Sequence, residues 1–197
     1  VFGDWSSDVC SSDLQVPVLL LAMNNSSLAG LDAGRHECTD AIDRVFVWNG
    51  YSKLFVGMIK YVEDLHNVDN DTRVGMVRVI LLIEDSVRYY SRYLPLLYSV
   101  VMKQTQLLVE EERSVETYKI LRMRGRPKVL LATSYEEAKA LYERYEPYLL
   151  TVISDVRYLK DGVDDPEAGF RFLSMAKERK PDLPVLIQSS EPDNREK

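Results

Sequence analysis

The chain has 197 residues, a formal net charge of −6 and two cysteines, Cys10 and Cys38. So mild an acidity gives no general pull toward nucleic acid or an anionic membrane. Cys10 lies in the suspect first 14 residues, so Cys38 alone remains and no disulfide framework is expected, which points to a reducing, cytoplasmic setting. The longest early apolar run, residues 16–23, is too short to span a bilayer and follows no basic region, so neither a membrane span nor a signal peptide is expected.

Residues 1–14 stand apart. The string WSSDVCSSDL, Trp5 to Leu14, reads as the translation of a common sequencing-library adapter. The segment is therefore expected to be a disordered artefact and is excluded from fold reasoning. Asp4, Asp8 and Asp13 are three of the 31 acids, so without them 28 acids face 25 bases, a net charge of −3. On this reading the chain is a fragment of a larger protein.

From Gln15 onward, residues 17–22 form an apolar strand, 24–40 a polar loop, and 45–47 a second short strand. Ser52 is placed to cap a helix in which Leu54, Phe55, Met58, Ile59 and Val62 recur at helical spacing to about Leu65. Residues 67–72 read as a polar linker. Residues 77–83 then form a strand that is apolar except for Arg78, as expected of a strand covered on both faces. Ser86 can cap the next helix, which Pro95 is expected to kink or interrupt.

Residues 103–128 read as an insertion. It carries Glu110, Glu111 and Glu112 and then the alternating bases Arg122, Arg124, Arg126 and Lys128. Alternation puts those bases on one side of an extended segment, either to contact phosphate or to dock a connector on its neighbour. Residues 129–132 form a strand. Ser134 and Glu137 have capping-box spacing before a helix with Ala138, Leu141 and Tyr145 inward. Residues 149–155 form a strand ending in Asp155, followed by a Gly-containing loop with Asp161, Asp164 and Asp165. A helix from about Pro166 to Arg179 and a strand over 183–187 complete the series.

Three strands thus deliver polar groups at their C-terminal ends: Glu84 and Asp85, Asp155, and Ser189. In an open parallel sheet that edge is where ligands bind, and crowded carboxylates there suit a hard cation. The strings ILLIEDS, LLTVISDVRYLKDG and LPVLIQSS resemble the receiver domains of bacterial response regulators. The resemblance implies a flavodoxin-like doubly wound α/β fold and a phosphorelay role in a two-component system. It makes Asp155 the phosphoacceptor, places Ser189 beside the phosphoryl group, and assigns magnesium to Glu84, Asp85, Asp155 and the carbonyl of Arg157. The implied partners are a histidine kinase or phosphotransfer domain, with no nucleic acid and no membrane.

Residues 15–72 resemble the C-terminal half of a second, degenerate receiver, with Ala22 and Trp48 in place of its hydroxyl and lysine. Residues 73–197 resemble a receiver that stops before its fifth strand, which the half-domain strand at 45–47 could replace. The strings VFVWNG, IKYVED and LRMRGRPKVLLATSYEEA further resemble the tandem receiver-like N-terminal region of large bacterial proteins related to phosphoenolpyruvate synthase. The parent would then be a phosphotransferase whose downstream domains are a partner. Without a lysine-bearing fifth strand, a weak or absent response to a small phosphodonor is expected. A pseudo-receiver that merely docks partners is the alternative. A stand-alone magnesium-dependent phosphatase is disfavoured, because Arg157 stands where such enzymes carry a second acid. His36 and His66 are expected at the surface.

Overall fold

A computed structural model describes residues 17–24, 42–111 and 125–189. Its centre is a parallel sheet of four strands: β3 (Val79–Ile83), β4 (Lys128–Ala132), β5 (Leu149–Asp155) and β8 (Val185–Gln188). Their spatial order is β4-β3-β5-β8. Strands β3 and β4 are buried along their whole length, as expected of apolar strands covered on both faces; Lys128 at the start of β4 is buried through its pair with Asp71. Val79, Leu81 and Ile83 face one core, while Ile80 and Leu82 face the other. The fold is therefore α/β with a covered parallel sheet, compatible with a flavodoxin-like arrangement.

On the first face lie α3 (Tyr135–Tyr145) and α4 (Ala168–Arg179). They bring Ala138, Tyr142, Phe172 and Ala176 into one cluster. Tyr142 and Phe172 meet edge to face with ring centres 5.9 Å apart, a favoured geometry. The capping residues before α3 act as expected: the Ser134 side chain accepts from the Glu137 N–H at 3.2 Å. Glu137 reaches back to the N–H of Thr133 at 2.8 Å, one residue further than the usual box.

The second face is covered by α2 (Val87–Glu111) and α1 (Lys53–Gly75). Pro95, expected to kink or interrupt its helix, does not interrupt α2, which runs on to Glu111, so part of the expected insertion is simply this helix continued. Nor is there a linker at 67–72, because α1 continues through it to Gly75. Its polar residues are spoken for there: Thr72 donates to the Val68 carbonyl at 2.7 Å, and Asp69 accepts from the Tyr145 hydroxyl at 2.7 Å. The helix closes with Met76 left-handed at φ 51° and the Val77 N–H donating to the Asp71 carbonyl at 3.1 Å. At its start, Ser52 is itself helical and makes no side-chain cap. Gly57 has a packing reason, since a Cβ there would sit 2.8 Å from the Pro95 ring.

Strands β1 (Leu19–Ala22) and β2 (Arg44–Val47) form a separate parallel pair. They do not occupy the fifth position beyond β8. Instead Phe46 joins Tyr61 and Tyr90 over Ile80 and Leu82. The Val47 N–H donates to Ser91 Oγ of α2 at 3.0 Å. The outer side of β8 stays bare among the described residues, leaving Leu186 53% exposed.

Arg126 and Lys128 are docked rather than solvated. Arg126 grips both oxygens of fully buried Asp64 at 2.7 and 3.0 Å, and Lys128 pairs with Asp71 at 2.7 Å. Asp64 also accepts from the Val129 N–H at 2.8 Å, so α1 satisfies a backbone donor of the edge strand β4. Residues 1–14 and 25–40, Arg122 and Arg124 lie outside the described residues, and so do the side chains of Glu110, Glu111 and Glu112. No helix among the described residues is long and apolar enough to cross a membrane.

Candidate functional site

Strand β3 ends at Ile83, and the chain turns there with Glu84 and Asp85 before α2 begins. The neighbouring β5 ends in Asp155, whose register partner on β8 is Gln188. Parallel pairing therefore brings all three acids to one edge. Ligating oxygens of Glu84, Asp85 and Asp155 lie within 4.8 Å of one another, close enough to hold a metal ion. Glu84 is buried and the two aspartates are half-buried. Ser189, exposed just past β8, lines the same open cleft of about 310 Å³.

Electrostatics set the character of this edge. Burial, and then the charge of Asp155, push the Glu84 carboxyl up to about 8. Asp85 is raised for the same two reasons in the same order. Such shifts mark carboxylates whose charge is not neutralised by protein cations. A hard divalent cation bound through oxygens would relieve the repulsion. The donor set, three carboxylates with no sulfur or imidazole, fits such an ion.

The residues singled out from sequence thus converge: Glu84, Asp85, Asp155 and Ser189 share one cleft. Arg157 lines it too, with its side chain held by Asp164 at 2.8 and 3.0 Å. His66 is exposed on α1, as expected. Three further residues shape the site. Gln188 donates from β8 to Glu84 Oε2 at 2.9 Å, and the Ser86 N–H donates to Oε1 at 3.1 Å, so Glu84 is fixed from two sides.

Gly169 is the second. It lies in the first turn of α4 with its N–H donating to the Val156 carbonyl at 2.9 Å. A Cβ there would fall 2.1 Å from the Asp155 carbonyl oxygen, so only glycine lets α4 approach the Asp155 backbone this closely.

The third is Asp164, which belongs to a hairpin where a loop was expected. Strands β6 (Tyr158–Lys160) and β7 (Val163–Asp165) pair antiparallel across Asp161 and Gly162. Both turn residues are left-handed, at φ 52° and 75°, as a two-residue type I′ turn requires. Asp-Gly was the available signal, but three-residue strands are too short to show alternation.

Comparison with known proteins adds no family: no family model, curated protein or solved structure matches the chain.

Proposed function

We propose that this chain is a phosphorelay receiver module with a flavodoxin-like fold, in which Asp155 accepts a phosphoryl group with the help of magnesium. The observation that carries the reading is the meeting of Glu84, Asp85 and Asp155 at the C-terminal edge of a parallel sheet. Ser189 stands on the adjoining strand end in the same cleft.

In this reading an Asp155 carboxylate oxygen attacks the phosphorus of a phosphohistidine or acyl phosphate. A new P–O bond forms, and the bond to the donor breaks with its electron pair leaving on the donor. Glu84, Asp85 and Asp155 would hold magnesium, which offsets charge on the incoming phosphoryl group. Gln188 and Ser86 keep the Glu84 oxygens in place, and Gly169 lets α4 buttress the Asp155 backbone. Ser189 supplies a hydroxyl to the new phosphoryl oxygens. The donor in the cell is a histidine kinase or phosphotransfer domain, and the output passes to further domains of a phosphoenolpyruvate synthase-like parent.

The hydrogen bonds that already hold both Glu84 oxygens also favour a second reading, a pseudo-receiver that docks partners without phosphorylation. Intact-mass analysis after prolonged incubation with acetyl phosphate and magnesium separates the two. One slowly formed phosphoryl adduct is expected, lost on adding chelator and in Asp155→Asn. No adduct on the folded chain selects the docking module, and an adduct that survives Asp155→Asn refutes the choice of acceptor.

A further inference from the structure

Among the described residues that line the acidic cleft, Arg157 is the one cation, alongside Glu84, Asp85, Asp155 and Asp164. Two of its guanidinium nitrogens reach Asp164 of the β6–β7 hairpin, the Nε at 2.8 Å and one terminal nitrogen at 2.5 Å. This pair is about half exposed, so its strength is modest and screened by solvent. The hairpin beneath it is anchored independently. Tyr158 is fully buried, the Asp161 N–H donates to Glu136 at 2.9 Å, and the Lys160 ammonium lies 4.7 Å from the centre of the Tyr135 ring. The hairpin therefore needs no help from Arg157 to keep its place, and giving up the Arg157–Asp164 pair would cost it little.

A phosphoryl group on Asp155 would put a dianion two residues from Arg157 in the same cleft. Guanidinium binds phosphate oxygens in the same forked geometry with which it binds a carboxylate. We propose, resting on the receiver reading, that Arg157 is the residue whose side chain contacts the phosphoryl group on Asp155, and that Asp164 holds it in reserve until that charge arrives. Asp164 is thus a competitor as well as a holder.

The competition makes a signed test. With acetyl phosphate and magnesium, Arg157→Ala should slow adduct formation about tenfold, the scale of one charge-assisted hydrogen bond, and Arg157→Lys should recover part of the rate. Asp164→Asn should speed formation a few-fold, since it removes the competitor. In the double variant that gain should vanish, and its rate should equal that of Arg157→Ala. A spectroscopic readout stands beside the rates: the Arg157 Nε–H signal in ¹⁵N spectra should move when fluoroberyllate and magnesium are added to wild type, and stay fixed in Asp155→Asn.

If wild type forms its adduct but the Arg157 signal does not move and Arg157→Ala reacts at the wild-type rate, the inference is wrong while the receiver reading stands. If Asp164→Asn speeds the reaction equally with and without Arg157, Asp164 acts through its own charge and the exchange is refuted. Absence of any wild-type adduct removes the receiver reading and this inference with it.

Discussion

Two groups of buried charges sit at opposite ends of the same sheet and are built on opposite principles. At the N-terminal end, Asp64 is fully buried but meets Arg126, Lys128 and the Val129 N–H. At the C-terminal end, Glu84 is as deeply buried, yet its charged neighbours are Asp85 and Asp155. Burial of charge is tolerated when it is paired and hydrogen-bonded. The first group satisfies itself and serves the fold. The second crowds like charges at an open cleft, a repulsion that a bound cation would relieve. The contrast sets a cluster that satisfies itself against an acidic one that could hold a metal ion.

The largest effect should come from breaking the paired end. Asp64→Ala strands Arg126 and Lys128 and leaves the Val129 N–H without its acceptor, and it should cost about 3–5 kcal/mol in denaturant unfolding. A cost near that of an exposed ion pair would erase the distinction drawn here.

Next is Gly169→Ala, which forces a methyl group into the Asp155 carbonyl. It should cost about 1–3 kcal/mol and weaken divalent-cation binding by calorimetry. Unchanged metal affinity would show that α4 does not position the acidic edge.

Glu84→Gln should act with the opposite sign. The folded state holds a proton on Glu84 that the unfolded chain releases at its ordinary value near 4.5, and it keeps it up to about 8. The folded state thus binds more protons across that window, so stability falls as pH rises from about 4.5 to 8. In chelator at pH 8, Glu84→Gln should raise the thermal midpoint by a few degrees and flatten the pH dependence. Magnesium should stabilise wild type more at pH 8 than at pH 5, because protons and cation compete for the same oxygens. A midpoint that rises with pH through this window would contradict the account of the acidic end.

Ser134→Ala, which touches neither group, should cost only about 1 kcal/mol as a lost helix cap. A larger loss, accompanied by weaker metal binding, would mean that the start of α3 also supports the acidic edge.

The parts legible in sequence were those governed by local pattern. Apolar runs located β3 and β4, strands covered on both faces, and the mainly apolar run 149–154 located the partly exposed β5. Their terminal acids located the site, because parallel strands in neighbouring register must end together. What escaped was set by tertiary partners. Residues 67–72 look like a linker until Tyr145 and Lys128 are there to receive Asp69 and Asp71. Pro95 looks like a stop until Gly57 makes space for its ring. Gly169 resembles any helix glycine until the Asp155 carbonyl is set against it. Arg126 and Lys128 read as a basic stripe because their acids lie more than fifty residues away.

Helix α1 contributes Leu54 and Tyr61 to one core and Val68 to the other. It passes the β4 edge between them and so acts as a strap around the rim of the sheet. Its loosening should uncover both layers and unseat Asp64 together, so a protease that nicks α1 is expected to open the whole assembly rather than trim a dispensable N-terminal arm.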